Sequence, residues 1–188
     1  MIKTRIGNKN DIDGILSLQE KNLYSNLNEI ERRNGFVTTP FTVNQIEEII
    51  KQNGIFVAEN KQGEIVAYAF AGSWKYFGQW EIFNFMVSRF SKLSFKENKI
   101  TTENSFQYGP VCIDKNYRGK GLLNLIFEEM RIEFLKKYPI SITFINKINV
   151  ISERAHTKKL GWEIIDEFEF NNNSYIELAF DMKNSVLK

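Results

Sequence analysis

The chain has 188 residues, 43% hydrophobic and 26% charged, with three prolines, which suits one globular domain with its own core, or one domain carrying an insertion. Lys and Arg number 25 against 23 Asp and Glu, a formal charge of +2, so no general field draws the chain to nucleic acid and such a binder would need a local basic patch. The single cysteine excludes an intrachain disulfide and a cysteine-based zinc cage, and suits a reducing compartment.

The opening MIKTRIGNKND lacks the apolar run of a signal peptide, and no stretch approaches the length of a membrane span, so a cytoplasmic location is expected. Ile2 to Ile6 alternates as a short strand. Asn10 or Asp11 is placed to cap a helix bearing Ile12, Ile15, Leu16 and Leu18. A second helical stretch spans Asn28 to Asn34 and stops at Gly35; a third, Thr42 to Gln52, has an apolar face of Val43, Ile46, Ile49 and Ile50 and ends at Asn53-Gly54. Ile55 to Glu59 and Glu64 to Ala71 read as a hairpin about Asn60 to Gly63.

Trp74 to Asn104 breaks the pattern. It opens with Trp74, Tyr76, Phe77, Trp80, Phe83 and Phe85, then turns polar and lysine-rich, and predicts a helix from Gln79 to Arg89 followed by a loop. Its aromatics are either core packing or the wall of a substrate pocket. Tyr108 to Ile113 reads as a strand. Beyond it Leu122, Leu123, Ile126, Phe127, Met130 and Phe134 trace one helical face, with Asn124, Glu128, Glu129, Arg131 and Lys136 mostly opposite. Ile140, Ile142 and Phe144 alternate as a strand, Ser152 to Leu160 is helical with a stop at Gly161, and Trp162 to Phe170 pairs with Tyr175 to Phe180 around three asparagines. The order predicts a mixed α and β chain, with helix–strand alternation concentrated in its second half.

The turn Arg118-Gly119-Lys120-Gly121 at the start of a helix suits an anion, because helix N-termini expose unpaired N–H groups and glycine lets the backbone approach a ligand. A Walker A loop fails because Lys120 is followed by Gly121, and the dinucleotide fingerprint fails because Asn124 stands at its last glycine. The run Arg118 to Leu123 instead resembles the acetyl-CoA signature of the GCN5-related N-acetyltransferases (GNAT), [Q/R]xxGx[G/A], with Leu123 in the final small position. Asn149 to Trp162 resembles the family's later motif: Asn149, Ser152, His156 and Lys159-Leu-Gly161-Trp162 fall in order, with His156 at the tyrosine position and one extra residue before the glycine.

The resemblance covers about half the chain, from Phe106 to Asp181, and implies an α+β fold: one GNAT-like domain over residues 1–188 with a central, mostly antiparallel sheet flanked by helices, residues 73–104 being an insertion that shapes the acceptor site. It implies acetyl transfer from acetyl-CoA, without a metal, to a primary amine of a small acceptor. The diphosphate would take N–H bonds from Arg118, Gly119, Lys120, Gly121, Leu122 and Leu123; the pantetheine would pair with the backbone of Val111, Cys112 and Ile113; Asn149 and Ser152 belong to the same cofactor-binding set. His156 stands where the family places a proton donor for the thiolate, its alternative being to pack in its helix or contact CoA without proton transfer; Glu81, Glu103 and Asp114 are candidate bases for the amine proton, none singled out by its sequence context. Cys112, in a strand, reads as core filler. Rival readings are a catalytically degenerate acyl-CoA-binding regulatory module, a protein or peptide amine acetyltransferase, and a nucleic-acid binder using Lys92, Lys96 and Lys99. A homodimer is compatible with all but specified by none; no membrane partner is expected.

Overall fold

The computed structural model describes residues 2–187. In chain order its elements are β1 (Lys3–Ile6), α1 (Ile12–Glu20), α2 (Glu29–Arg32), α3 (Val43–Ile50), β2 (Ile55–Glu59), β3 (Ile65–Gly72), α4 (Trp74–Phe77), α5 (Glu81–Arg89), β4 (Ser94–Phe95), β5 (Asn98–Lys99), β6 (Ser105–Ile113), α6 (Leu122–Phe134), β7 (Ile140–Asn146), α7 (Val150–Arg154), β8 (Glu163–Phe170) and β9 (Asn173–Asp181). The main sheet has the order β1-β2-β3-β6-β7-β9-β8, and β4-β5 is a separate hairpin. Pairing is parallel between β6 and β7, and antiparallel for β1–β2, β2–β3, β7–β9 and β8–β9. This is the mixed, mostly antiparallel sheet with flanking helices that the resemblance implies.

The chain divides into two compact units. One runs to Ala71 and takes in Gly109–Glu133 and the segment from Ser185; the other comprises Gly72–Tyr108 and Phe134–Asn184. In the first unit α3 begins with a capping box: the Thr42 hydroxyl accepts from the Gln45 N–H, and the Gln45 side chain accepts from the Thr42 N–H. Its Ile46 and Ile49 are fully buried, as are Ile15 of α1 and every residue of Ile55–Ala58 in β2. A strand buried at successive positions is covered on both faces, which is why β2 and β3 read as apolar runs rather than alternations. The α1 start differs from expectation. Asn8, not Asn10 or Asp11, is the capping side chain; it closes a box with Asp11 around a 3-10 turn, Lys9–Asp11, that leads into α1. On α6, Leu122, Ile126, Phe127 and Met130 are buried as predicted. Glu128 and Arg131, expected on the solvent face, are buried too, because Glu128 accepts from the Arg131 guanidinium (2.9 Å), the Ser185 hydroxyl (2.9 Å) and the Val186 N–H (3.1 Å).

In the second unit the β6–β7 ladder runs from Ser105↔Ile140 to Gln107↔Ile142. Past that register the Thr143 hydroxyl donates to the Tyr108 carbonyl (2.7 Å). The Gly109–Pro110 peptide is cis. The β8–β9 hairpin turns through Asn171 and Asn172, both at positive φ, as the three asparagines imply. The Trp74–Asn104 segment is more structured than its sequence suggests. The helix expected over Gln79 to Arg89 is α5, which starts at Glu81 because Trp80 is extended (φ −113°, ψ 134°), and a further short helix, α4, precedes it, capped by Ser73, which accepts from the Tyr76 N–H. The expected loop is the β4–β5 hairpin. Its turn contains no glycine; Lys96 takes the left-handed conformation (φ 52°) while its ammonium is held by Asp181 (2.8 Å).

Candidate functional site

The turn between β6 and α6 is assembled from main-chain anchors. The Asp114 N–H donates to the Val66 carbonyl (2.9 Å), and its carboxylate accepts from the Asn116 N–H (2.9 Å), producing one 3-10 turn, Lys115–Tyr117. Arg118 is then extended, and Gly119 and Gly121 take φ of +74° and +78°. Side-chain-bearing L-residues resist these angles. A Cβ at either glycine would meet nothing within 4 Å, so crowding is not what the two glycines relieve; they supply the backbone angle and leave the outer surface open. The first N–H groups of the 13-residue α6 have no intrahelical acceptors, and the positive end of its dipole lies at this turn.

Both cations of the turn have acceptors on the chain itself, although Lys120 stays exposed. The Arg118 guanidinium donates from Nε to the Ile113 carbonyl (2.8 Å), from Nη1 to the Asn34 carbonyl (2.5 Å) and from Nη2 to Asn22 Oδ1 (2.8 Å). Lys120 Nζ donates to the Asn116 carbonyl (2.8 Å) and lies 5.5 Å from the Tyr117 ring centroid. This turn presents main-chain N–H groups together with the exposed Lys120 ammonium. Of the strand residues expected to flank a pantetheine, Val111 and Ile113 are half-buried and Cys112 is buried. Burial pushes the Cys112 thiol up to about 12, so it is a neutral core group rather than a nucleophile. Leu122 is buried and Leu123 half-buried.

Val111 to Leu123 all lie in the first unit; Asn149, Ser152, His156 and Glu81 lie in the second. Asn149 caps α7, its side chain accepting from the Ser152 N–H (3.3 Å). The helix then widens into a π-turn over Ala155–Leu160 and ends at Gly161, left-handed at φ 81°. A π-turn holds one residue more than an α-turn, and so takes up the extra residue between His156 and Gly161 without shifting either. His156 is buried beside Tyr108 and Trp162, at ring-centroid distances of 5.8 and 5.9 Å. Its Nδ1 is 2.8 Å from the Ser152 carbonyl, which can only accept, so Nδ1 carries the proton. Burial pulls the imidazole down to about 4, against the opposing effect of that hydrogen bond. At neutral pH the ring is uncharged and its proton is held by a carbonyl. Nε2 is then an acceptor face, and the geometry fits packing better than delivery of a proton to a thiolate. Glu81 is exposed in the first turn of α5.

The aromatic side chains from Trp74 to Phe85 pack largely on one another. Phe77 lies 4.7 Å from Phe83 and 5.0 Å from Tyr76, Trp74 lies 4.8 Å from Phe90, and Phe83 lies 5.5 Å from Phe144 on β7. Trp74, Tyr76, Phe77 and Phe83 are buried; Trp80 and Phe85 keep partial exposure.

One group escapes the sequence reading. Glu177 on β9 is fully buried, with Oε2 accepting from Arg89 Nη1 of α5 (2.9 Å) and Oε1 without a hydrogen-bond partner. Arg89 also donates to Asp166 on β8 and lies over the Phe168 ring at 4.8 Å. Burial pushes the Glu177 carboxyl up to about 7, more than Arg89 pulls it down, and the like charge of Asp166 adds to the rise. A signal was present: one acid inside the apolar run Ile176–Phe180.

No family model matches the chain. A stretch of 109 residues, 54% of the chain, is 34% identical to the phenylalanine–tRNA ligase beta subunit of Methanocaldococcus jannaschii, and it spans only 20% of that subunit's length. Solved structures resemble the chain over nearly its whole length. An N-acetyltransferase from Staphylococcus aureus Mu50 matches at TM-score 0.62 and 16% identity, covering 97% of this chain and 99% of its own. The Salmonella typhimurium protein yncA, solved with its cofactor acetyl-CoA, matches at TM-score 0.64 and 13% identity, covering 98% and 95%. A ribosomal-protein-alanine N-acetyltransferase from Brucella melitensis matches at TM-score 0.62 and 16% identity, covering 95% and 99%. The likeness in sequence reaches half the chain and that in structure nearly all of it, so the architecture is settled by the latter: this chain has the fold of the GCN5-related N-acetyltransferases.

Proposed function

We propose that the chain is an acetyl-CoA-dependent N-acetyltransferase whose acceptor is an amine. The observation that carries this reading is the turn at Gly119 and Gly121: two left-handed glycines, open on their outer side, lead directly into the N-terminus of α6. Main-chain N–H groups of Gly119 to Leu123 would donate to the diphosphate, with the helix dipole favouring its charge. Val111 to Ile113 would offer backbone groups to the pantetheine amides. When bound, acetyl-CoA supplies the activated thioester; the chain's own task is to hold it and to let a neutral amine approach.

Replacing Gly121 by valine tests the reading. The new side chain meets no neighbour, so the fold should survive with unchanged circular dichroism. The backbone, however, must leave φ +78° or carry strain of about 1–2 kcal/mol, and calorimetry should show acetyl-CoA bound weaker by on the order of tenfold or more. Equal affinity in a folded Gly121→Val protein removes the turn as the cofactor site, and absence of acetyl-CoA binding by the unaltered chain removes the reading itself.

A second reading has its own support in His156. An uncharged imidazole with its proton on the Ser152 carbonyl suits a CoA-binding module without turnover. Release of CoA on incubation with a panel of amines separates the two.

A further inference from the structure

From Tyr24 to Phe36 no residue is buried. The loop is closed at its neck, where the Tyr24 N–H donates to the Val37 carbonyl and the Val37 N–H to the Asn22 carbonyl, both at 2.9 Å, beside the buried Leu23 and Val37. Among its contacts are the Asn28–Glu31 capping box of α2, Arg32 over the Tyr24 ring at 3.9 Å, and Tyr24 edge-on to Phe36 at 4.9 Å. Ile30 is 73% exposed. A loop with so little buried apolar surface draws its order from polar anchors, and its local opening costs little.

Arg118 is such an anchor, and it reaches both limbs. Nη2 holds Asn22 Oδ1 at the neck and Nη1 holds the Asn34 carbonyl on the returning limb, while Nε fixes the guanidinium to Ile113 at the end of β6. Asn22 is buried, and its own Nδ2 is occupied by the Leu18 carbonyl (2.8 Å), which orients Oδ1 toward Arg118. The backbone of Arg118 immediately precedes the left-handed Gly119. One residue thus connects a glycine turn to a loop that has no core.

We propose that Arg118 is a positioning residue that couples the order of the Tyr24–Phe36 loop to occupancy of the Gly119–Leu123 turn by a diphosphate. This rests on the reading above, that the turn takes the diphosphate of CoA. An anion accepting the N–H groups of the turn restrains its dihedrals, and with them the Arg118 backbone. A restrained backbone reduces the entropy lost in holding the guanidinium on three divergent acceptors. Anion binding and loop order then favour each other, and by linkage the effect is reciprocal. The side chain that the motif would assign to the phosphate acts instead on the loop.

Amide hydrogen exchange with and without CoA tests this, on the unaltered chain and on Arg118→Lys. Lysine keeps the cation but cannot present a planar fork to three acceptors, so a role in binding charge is rescued and a role in positioning is not. In the unaltered chain CoA should slow exchange about tenfold or more both at Gly119–Leu123 and across Tyr24–Val37. In Arg118→Lys it should still slow the turn, while the loop exchanges fast with or without CoA. If Arg118→Lys does not fold, Asn22→Ala removes one loop acceptor of the guanidinium and should give the same pattern. Protection of the turn alone in the unaltered chain overturns the coupling, as does loop protection that survives in the variant. If CoA protects nothing, the diphosphate reading fails and the coupling with it; exchange without ligand, unchanged in Arg118→Lys, shows in addition that the guanidinium does not hold the loop.

Discussion

Two buried ionisable side chains of the same unit should give opposite pH signatures. Burial raises the Glu177 carboxyl to about 7 and lowers the His156 imidazole to about 4. A raised folded value means that the stability from Glu177 is full below its unfolded value, near 4.5, and is lost as pH rises toward 7. For His156 the sense is reversed: the unfolded chain takes up a proton below about 6.5 and the folded one does not until about 4, so stability is lost as pH falls across that window. Each slope is about 1.4 kcal/mol per pH unit, and between about pH 4.5 and 6.5 the two oppose each other. Chemical denaturation across pH should therefore show Glu177→Gln gaining on the unaltered chain as pH rises from about 4.5 to 7, by on the order of 3 kcal/mol in all. His156→Gln should gain on it as pH falls from about 6.5 to 4. Differences that stay flat with pH would place both groups in wetter surroundings than their burial indicates. The Asn149 cap of α7 falls where the motif places it; the ionisation of His156 was not legible, because its desolvation depends in part on Tyr108, which comes from a strand 48 residues earlier.

At the scale of elements, α4 and α5 carry the question of the acceptor. Their rings pack on one another and on β7, which is core behaviour, yet Trp80 sits in the extended break between the helices and keeps part of its surface. An aromatic face attracts a cationic amine by about 0.5–2 kcal/mol. If Trp80 belongs to the acceptor site, Trp80→Ala should raise the Michaelis constant for the amine by about 2- to 30-fold and leave that for acetyl-CoA nearly unchanged. Loss of thermal stability with both constants moving together would make the ring a packing residue only. Helix ends in this chain were readable where a cap has a sequence form, as at Thr42 with Gln45 and Asn28 with Glu31. The β4–β5 turn was not readable, because its residues Lys96 and Glu97 include no Gly, Pro or Asn and the conformation is held from afar, Asp181 taking the Lys96 ammonium.

For the molecule, local pattern and long-range pairing divide the information. The +2 balance of charge gives no electrostatic ground for a nucleic-acid reading, and among the described residues no helix is long and apolar enough to cross a membrane. The sequence alone determined the order and type of most elements, because period-2 and period-3.6 burial, capping side chains and turn asparagines are written within a few residues of where they act. It determined the glycine turn before α6 for the same reason: positive φ is a property of single residues. Tertiary structure alone decided which polar side chains leave water. Glu128 and Arg131, set opposite the apolar face by sequence, are covered by Ser185 and Val186; Glu177, one acid within an apolar run, is closed over by Arg89; the Arg118 guanidinium is met by Asn22 and Asn34. In each case the deciding partner lies tens of residues away, and the free energy of a charge depends on what surrounds it in space, which no window of sequence contains.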